Sequence, residues 1–481
     1  MEEANVNRRN FLRMAGAGAL AAALGSAQPL MGTRPGRAAE RRPPNIVVIL
    51  ADDLGYADLG CYGNRAVSTP NIDRLAEEGM RFTDFHSNGP MCSPTRAALL
   101  TGRYQNRMGI ESALGLMRDP PEGYGLPTDE ITIAQRLGEA GYKSAVFGKW
   151  HLGHQPFEFP MHFGFDEFIG LLCGCGDFIS QVNRLGLPDW WRQDELAPEE
   201  GDTTTLITDH SIRFIEEHQD QPFFLYVSHL TIHFPWMSTK EDAHRELGED
   251  YTGIEDPANS RLGPHVGSDH MQEIVHGMIA DLDRSTGRII ETLRRLKLDE
   301  NTLVIFTSDN GGYIHYNGLH RGELSDNGPL RGQKTEIWEG GHRVPAIAWW
   351  PGRVPAGVTV DDTVLTMDLP PTFLELAGLS PPAEDAPRPF DGVSVKSLLL
   401  DEESVPERTL FWRMRTARAV RRGGWKLVRL EDDPPELYNL AEDIGERNNL
   451  ADEHPGRVEA LAQALAEWEA EVDAEYARLD R

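Results

Sequence analysis

The sequence predicts an α/β layered fold with a large, mostly parallel central sheet. Several runs of consecutive apolar and β-branched residues are typical of strands buried on both faces. These runs alternate with helical segments over most of the 481 residues, which is typical of parallel sheets. Polar residues recur where the strands end, and sheets of this kind bind their ligands at that edge.

The predicted strands are short and almost wholly apolar. The first, 45–50, begins after Pro43-Pro44 and ends at Ala51-Asp52-Asp53. Because its apolar residues are consecutive rather than alternating, it is expected to lie inside the sheet. Further strands are predicted at 143–147, 223–227, 302–306 and 344–349.

Helices are predicted between these strands from capping residues and apolar periodicity. Thr69 is the expected N-cap of a short helix that runs to Ala76. Pro94 lies in the first turn of a helix predicted at 93–101, a position that tolerates proline. Two more helices are predicted, at 131–140 and 270–296.

The last region has a different pattern. It predicts a small α+β subdomain in which a short antiparallel sheet (409–412, 419–420, 425–430 and 436–440) precedes an amphipathic helix at 457–477. The predicted domains are therefore a leader and linker at 1–42, a large domain at 43–395 and a C-terminal subdomain at 396–481.

The N-terminus predicts export. Arg8 and Arg9 precede a weakly apolar stretch at 14–24, which is typical of a twin-arginine signal with cleavage near Ala27. A chance arginine pair before an apolar helix is the alternative. The stretch is too short to cross a bilayer, so we expect a periplasmic or extracellular protein that uses the twin-arginine (Tat) machinery and is not an integral membrane protein.

The charge balance argues against nucleic acid as a partner. Lys and Arg total 47 against 76 Asp and Glu, a formal net charge of -29, and such a surface repels phosphate backbones. Solubility explains the acidity, and a salt-adapted host is a second explanation. The four cysteines are too few for a disulfide scaffold, and the roles of Cys61, Cys173 and Cys175 stay open.

Two strand ends predict a metal site. Asp52 and Asp53 follow the first strand, and Asp309 and Asn310 follow the strand at 302–306. Adjacent acids at the tip of a buried strand are costly unless they are paired or bound to a metal. Their oxygen ligands favour a hard cation, Ca²⁺ before Mg²⁺. Helix capping is the alternative explanation.

Cys92 is predicted at a helix N-terminus, where free N–H groups favour negative charge. Arg96 follows about one turn later on the same side. Two interpretations are open from these residues alone: a small buried apolar side chain or an ordinary thiolate enzyme. Lys149 and His151 lie two residues apart after another strand, so an extended backbone would place both on one face.

The motifs together resemble the type I sulfatases of the alkaline phosphatase superfamily, and the pattern is most similar to arylsulfatases and N-acetylgalactosamine-6-sulfatases. The segments that carry the resemblance are Cys92-Ser93-Pro94-Thr95-Arg96, 51–55, 69–75, 148–153, 308–312, 332–334, 339–345, 425–427 and 436–440. The resemblance covers nearly all of the chain after residue 42. It implies an alkaline-phosphatase-like fold and a catalytic domain at 43–395.

The resemblance also implies the chemistry. A formylglycine-generating maturation enzyme would convert Cys92 to formylglycine (3-oxoalanine). One Ca²⁺ per chain would be held by Asp52, Asp53, residue 92, Asp309 and Asn310. The hydrated aldehyde would attack sulfur, and a sulfated enzyme would follow. His151 would then deprotonate the second hydroxyl and release sulfate.

The remaining roles follow the same resemblance. Lys149 and Arg96 would contact the group at position 92 and the sulfate. His233 would bind sulfate and protonate the leaving oxygen, with Lys334 as a second cation. The implied catalytic residues are Cys92, Arg96, Lys149, His151, His233, Asp309 and Lys334, and the implied substrate-binding residues are Lys149, His233, Lys334, His229 and His315.

The residues and the resemblance leave three candidate functions for this chain. The first is a sulfuric ester hydrolase that acts on a sulfated carbohydrate or an aryl sulfate. The second is a phosphate or phosphonate monoester hydrolase of the same superfamily. The third is a non-catalytic carbohydrate-binding relative, which the complete set of site residues disfavours.

Overall fold

The strand that carries Asp52 and Asp53 lies in the middle of a wide sheet. The computed structural model describes residues 42–118, 121, 123–249, 268–315, 324–383 and 386–479. The export prediction, which rests on residues 8–27, lies outside these ranges. Within them, the sheet strands are β1 Asn45–Ala51, β2 Met80–Phe82, β4 Lys143–Lys149, β5 Glu167–Leu171, β6 Trp191–Arg192, β7 Glu195–Leu196, β8 Phe223–Ser228, β9 Thr302–Ser308, β10 Ala346–Trp349 and β11 Val358–Val360.

The strand order is β11-β2-β10-β9-β1-β8-β4-β5-β6-β7. The five central strands from β9 to β5 pair in parallel. Antiparallel pairs flank them at β10 and at β6 and β7. The prediction of an α/β fold is confirmed, with a sheet that is parallel at its centre and mixed overall.

Helices cover both faces of this sheet. Along β1, the side chains of Ile46, Val48 and Leu50 enter one core and those of Val47 and Ile49 enter the other, as the period of a strand requires. The helices are α1 Pro70–Glu77, α2 Cys92–Thr101, α3 Ile133–Glu139, α4 Thr203–Glu217, α5 Ser268–Arg295, α6 Glu339–His342, α7 Leu369–Leu376, α8 Lys396–Asp401 and α9 Pro455–Tyr476.

Two helix starts show how local sequence sets the bounds. Thr132 and Gln135 form a capping box, and helix α3 begins at the next residue after Thr132. Thr69 precedes α1 as predicted, but its side chain does not cap the helix. Its hydroxyl instead donates to Asp73 Oδ1 at 2.9 Å, so the expected capping hydrogen bond is not formed.

The C-terminal region forms the predicted antiparallel sheet. Its strands pair in sequence order as β13 Thr409–Met414, β14 Ala417–Arg422, β15 Trp425–Leu430 and β16 Glu436–Asn439. Helix α9 packs on this sheet through Leu461, Leu465, Trp468 and Val472. The two remaining strands, β3 Phe85–His86 and β12 Val364–Leu365, pair with each other. The domain boundary at residue 395 stays a prediction.

None of the described helices combines the length and the apolar character that a bilayer crossing needs.

Candidate active site

The polar strand ends meet at one edge of the sheet. β1 and β9 run in parallel with Ala51 opposite Ser308, so the acids that follow both strands emerge side by side. Asp309 N donates to Ala51 O at 3.1 Å, and Asp53 N donates to Asp309 Oδ1 at 3.3 Å. The register of β1 and β9 therefore brings these residues together, as predicted.

Three carboxylates crowd together at this edge. Asp52, Asp53 and Asp309 each offer an oxygen, and these atoms lie within 4.8 Å of one another. All three residues are buried. Burial and the neighbouring charge of Asp309 raise the pKa of Asp52 well above its usual range. Like charges held this closely away from water call for a compensating cation.

The ligand set fits a hard cation. Among the described residues, Asp52 Oδ1 and Asn310 Oδ1 are buried side-chain oxygens without a hydrogen-bond partner. Buried oxygens are normally satisfied, and carboxylate and amide oxygens are the ligands that Ca²⁺ takes. The side chains of Asp52, Asp53, Asp309 and Asn310 are therefore suited to hold such an ion.

Cys92 opens helix α2 beside this cluster. Its Sγ, an oxygen of Asp52 and a ring nitrogen of His233 lie within 4.8 Å of one another. The residue is 1% exposed. Burial raises the pKa of the Cys92 thiol, although Lys149 and Lys334 act in the opposite direction. A thiol that stays protonated is a poor nucleophile, so the geometry disfavours an ordinary thiolate enzyme.

Two lysines lie against the aspartates. Lys149 Nζ, at the end of β4, donates to Asp52 Oδ2 at 2.6 Å. Lys334 Nζ donates to Asp53 Oδ1. Burial alone would raise the pKa of Asp53, but Lys334 and Lys149 hold it well below its usual range. Asp53 is therefore an ionised carboxylate throughout the neutral range.

Arg96 is fully buried beneath the cluster. Its Nε and Nη2 both donate to Asp309 Oδ2, at 3.0 and 2.8 Å. Its Nη1 donates to Ser228 Oγ at 2.6 Å and to Lys149 O at 2.9 Å. These contacts hold the guanidinium against the strand ends, and the contact of Arg96 with sulfate stays a prediction.

His151 has one engaged and one open ring nitrogen. Its Nε2 lies 2.8 Å from Leu114 O, so Nε2 carries the proton of the neutral ring. Its buried Nδ1 has no partner among the described residues. Burial, followed by the charge of Lys149, lowers the pKa of His151 well below its usual range. The side chain is thus a neutral imidazole with an available lone pair.

His233 is also neutral. Its Nδ1 contacts Phe234 O at 2.5 Å, and its Nε2 lies 3.8 Å from Asp53 Oδ2. Burial and then Lys334 lower the pKa of His233 well below its usual range. For Lys334, burial would lower the pKa, but Asp53 raises it well above its usual range. Lys334 is therefore the group that carries a proton at this position.

Comparisons with known proteins agree with this geometry. The family profile described as Sulfatase matches residues 44–379, which is well over half of the chain. The chain belongs to the sulfatase family. A second profile, N-sulphoglucosamine sulphohydrolase, C-terminal, matches residues 333–471 of this sulfatase.

Individual relatives cover most of the sulfatase. N-acetylgalactosamine-6-sulfatase of Canis lupus familiaris is 37% identical over 81% of this chain and 72% of its own length. Arylsulfatase A of Homo sapiens is 34% identical over 90% of this chain and 89% of its own. These relatives are sulfuric ester hydrolases, and so is this chain.

A solved structure supports the fold assignment. The crystal structure of Ps i-CgsB in complex with k-i-k-neocarrahexaose matches with a TM-score of 0.76 and 30% identity, covering 89% of this chain and 93% of that one. The large mixed sheet with its C-terminal four-stranded sheet is the alkaline-phosphatase-like fold of the sulfatases.

Tyr313 and His315 lie near Lys334. The ring centre of Tyr313 is 5.2 Å from Lys334 Nζ, and Gln333 Oε1 accepts a hydrogen bond from His315 N at 2.7 Å. His315, a predicted substrate-binding residue, thus lies beside the sulfatase site.

His229, a predicted substrate-binding residue, lies apart from the site, and so does Arg103. His229 is fully buried, and its Nε2 contacts Ser285 Oγ on α5 at 2.9 Å. Burial lowers the pKa of His229 to about 3, and no charged neighbour contributes to that shift. The geometry therefore argues against the predicted substrate contact of His229. Arg103 forms a buried ion pair with Glu130 at 2.7 Å and has a structural role.

The sequence interpretation missed Ser228. Its hydroxyl accepts from Arg96 and donates to Lys149 O at 2.6 Å. It thereby joins the ends of β8 and β4 beneath the site. Its position as the last residue of a buried strand was the available signal, the same signal that identified Asp52 and Asp309.

Proposed function

We propose that this sulfatase hydrolyses sulfate monoesters after Cys92 has been converted to formylglycine. One observation carries the proposal: the Cys92 side chain lies within 4.8 Å of Asp52 and His233, at the carboxylate cluster suited to a cation. Burial raises the pKa of the Cys92 thiol, which disfavours the thiolate as the nucleophile and favours a modified side chain.

A bound Ca²⁺ and formylglycine at position 92 would supply chemistry that the unmodified chain lacks. Asp52, Asp53, Asp309, Asn310 and residue 92 would hold one Ca²⁺, which when bound supplies positive charge opposite the sulfuryl oxygens. Hydrated formylglycine would supply two hydroxyls on one carbon, of which one attacks sulfur and the other later expels sulfate.

In the first half of the reaction, the chain's own residues would neutralise the sulfuryl oxygens and protonate the leaving oxygen. Lys149 and Lys334 are close enough to Cys92 to oppose the rise in the pKa of its thiol that burial causes, and they would balance the charge of the sulfuryl oxygens. As the S–O bond to the alcohol breaks, the leaving oxygen needs a proton. Lys334, whose Nζ donates to Asp53 Oδ1, is the proposed donor, and His233 lies beside the same carboxylate.

His151 would act in the second half. Its open Nδ1 would take the proton of the remaining hydroxyl, the bond between carbon and the sulfate oxygen would break, and sulfate would leave. Water then adds back to the aldehyde. The bond from Nε2 to Leu114 O fixes the tautomer that leaves Nδ1 available. Arg96 would act indirectly by orienting Asp309.

A sulfated carbohydrate is the proposed substrate, with an aryl sulfate second. The support is similarity to relatives named N-acetylgalactosamine-6-sulfatase and arylsulfatase A and to a structure in complex with k-i-k-neocarrahexaose. Tyr313 and His315 are partly exposed and are the proposed contacts for the ester's organic group.

The test compares p-nitrophenyl sulfate with p-nitrophenyl phosphate on protein matured with a formylglycine-generating enzyme. We expect kcat/KM to favour the sulfate, and Cys92→Ala to abolish turnover of both. A preference for the phosphate would instead support the phosphate or phosphonate hydrolase. Turnover that persists in Cys92→Ala would refute the nucleophile.

We also propose export through the twin-arginine machinery to the periplasm or beyond. The support is the Arg8-Arg9 pair and the short apolar stretch after it. Changing both arginines to lysine should retain the protein in the cytoplasm, as cell fractionation would show. Unchanged export of that variant would contradict the proposal.

A further inference from the structure

Asp58 is a buried carboxylate outside the proposed cation site. It is 2% exposed and lies five residues after Asp53. Three donors converge on it. Gly55 N donates to Oδ2 at 2.6 Å, Asp326 N donates to Oδ1 at 2.7 Å, and the Ser325 hydroxyl donates to Oδ2. These contacts, as the described residues give them, include no arginine or lysine.

The donors belong to two segments whose relative position matters for the site. Gly55 is in the turn that carries Asp52 and Asp53, and Ser325 and Asp326 are in the segment that leads to Lys334. Ala57 N also donates to Asp326 O, at 2.8 Å. Asp58 therefore joins the cation-site turn to the segment that bears the proposed proton donor.

Asn327 continues the same connection. Its Oδ1 accepts from Gly312 N at 3.0 Å, and its Nδ2 donates to Gly312 O at 3.0 Å and to Gly332 O at 3.2 Å. The backbone N–H of Lys334 donates to Gly312 O at 3.2 Å. The segment before Lys334 is thus tied both to the end of β9 and, through Asp58, to the end of β1.

The segments approach each other too closely to accept a side chain. A Cβ added at Gly55 would lie 2.5 Å from Asp326 O, and one added at Gly312 would lie 1.8 Å from Ser325 Oγ. Packing this tight leaves little room for the segment to shift while the hydrogen bonds of Asp58 hold. Loss of those bonds would free it to move.

We propose that Asp58 is a positioning residue, which acts by fixing the 324–334 segment so that Lys334 meets Asp53 and the leaving oxygen. The inference rests on the proposed function, because it takes Lys334 as the proton donor. A displacement of about 1 Å at such a group is enough to cost on the order of 100-fold in rate. Asp58 is not among the residues proposed to hold the cation or to contact the ester.

The test uses Asp58→Asn in the full-length, matured enzyme. Asparagine keeps the size, but it replaces one acceptor oxygen by an amide donor, so the three donors are no longer satisfied. We expect kcat for p-nitrophenyl sulfate to fall by about 10- to 100-fold while KM changes less than about twofold. The loss should be larger for an alkyl sulfate, because a poorer leaving group depends more on the proton from Lys334.

Asp283→Asn is the matched control. Asp283 is also 2% exposed and accepts three hydrogen bonds, from Asn71 N, Ile72 N and Asn71 Nδ2. It joins α5 to the start of α1 rather than two parts of the site. A merely structural effect would lower stability in both variants and leave kcat per folded molecule unchanged in both.

Ser325→Ala is the second variant, and it serves if Asp58→Asn does not fold. It removes one donor to Asp58, so we expect a smaller kcat loss with the same leaving-group dependence. Unchanged kcat in Asp58→Asn would overturn the positioning role. If that variant does not fold, unchanged kcat in Ser325→Ala would do the same. Neither result would affect the sulfatase activity of the wild type. Absence of wild-type turnover would instead overturn the proposed function.

Discussion

Arg96 Nε and Nη2 both donate to a single oxygen of Asp309, Oδ2, at 3.0 and 2.8 Å. Both side chains are fully buried. The second oxygen of Asp309 faces the Asp53 backbone. The guanidinium therefore fixes the orientation of one proposed cation ligand from below, and it offsets part of the negative charge that gathers at the strand ends.

Replacing Arg96 by methionine should destabilise the fold. Removal of one partner leaves Asp309 as an uncompensated buried charge, which typically costs about 3–5 kcal/mol. Urea unfolding with a chelator present would measure the free energy of unfolding without a competing cation. Arg96→Lys should recover part of the loss, since it restores the charge but not the two-pronged contact. A loss under about 1 kcal/mol in Arg96→Met would contradict this account.

Lys334→Met should remove the proton donor. We expect kcat for p-nitrophenyl sulfate to fall by about 100-fold or more, a typical contribution of general acid catalysis. The loss should grow for alkyl sulfates, whose leaving oxygen is more basic. His233→Gln is the comparison, because it keeps a hydrogen-bonding group without the ring. If His233→Gln showed the steeper dependence on the leaving group, the donor would be His233 instead.

Removing and restoring calcium should change both stability and activity. A ligand at 100 times its Kd stabilises the folded state by about 2.7 kcal/mol, so chelation should lower the Tm and calcium should restore it. Asn310→Ala should weaken the Tm response, because it deletes one buried oxygen ligand. A Tm that calcium leaves unchanged in the wild type would exclude the cation site, whatever the activity shows.

The acid limb of the pH profile should reflect His151. A base is active when deprotonated, so activity is present above its pKa and lost as the pH falls through it. Burial and Lys149 lower the pKa of His151 well below its usual range, so kcat should stay level below about pH 6.5, where an ordinary histidine titrates. The profile of kcat from pH 4 to 8 measures this. A midpoint near 6.5 that disappears in His151→Gln would contradict it.

The sequence was sufficient to predict that the acids at two strand ends meet at the site. Strand ends such as Asp52 and Asp309 could be found because consecutive apolar residues mark a buried strand and parallel strands end at one edge. The start of α2 at Cys92 was one residue from its predicted position, since Pro94 is compatible only with the first turn.

Partners across the sheet could not be predicted in the same way. Arg96 and Asp309 are 213 residues apart, and their contact depends on the register of β9 and on the docking of α2. The same limit applies to His229, which follows a buried strand as Asp52 does but faces Ser285 on α5. Position in the sequence places a side chain at the sheet edge, whereas packing of the helices decides which way it faces.

The state of residue 92 is the most direct test of the account. Mass spectrometry of the tryptic peptide that contains it, from protein co-expressed with a maturation enzyme, would measure that state alongside sulfatase activity. Conversion of the thiol to an aldehyde should lower the peptide mass by about 18 Da, and activity should rise with the converted fraction. Fully active protein in which residue 92 is still an intact cysteine would contradict the mechanism.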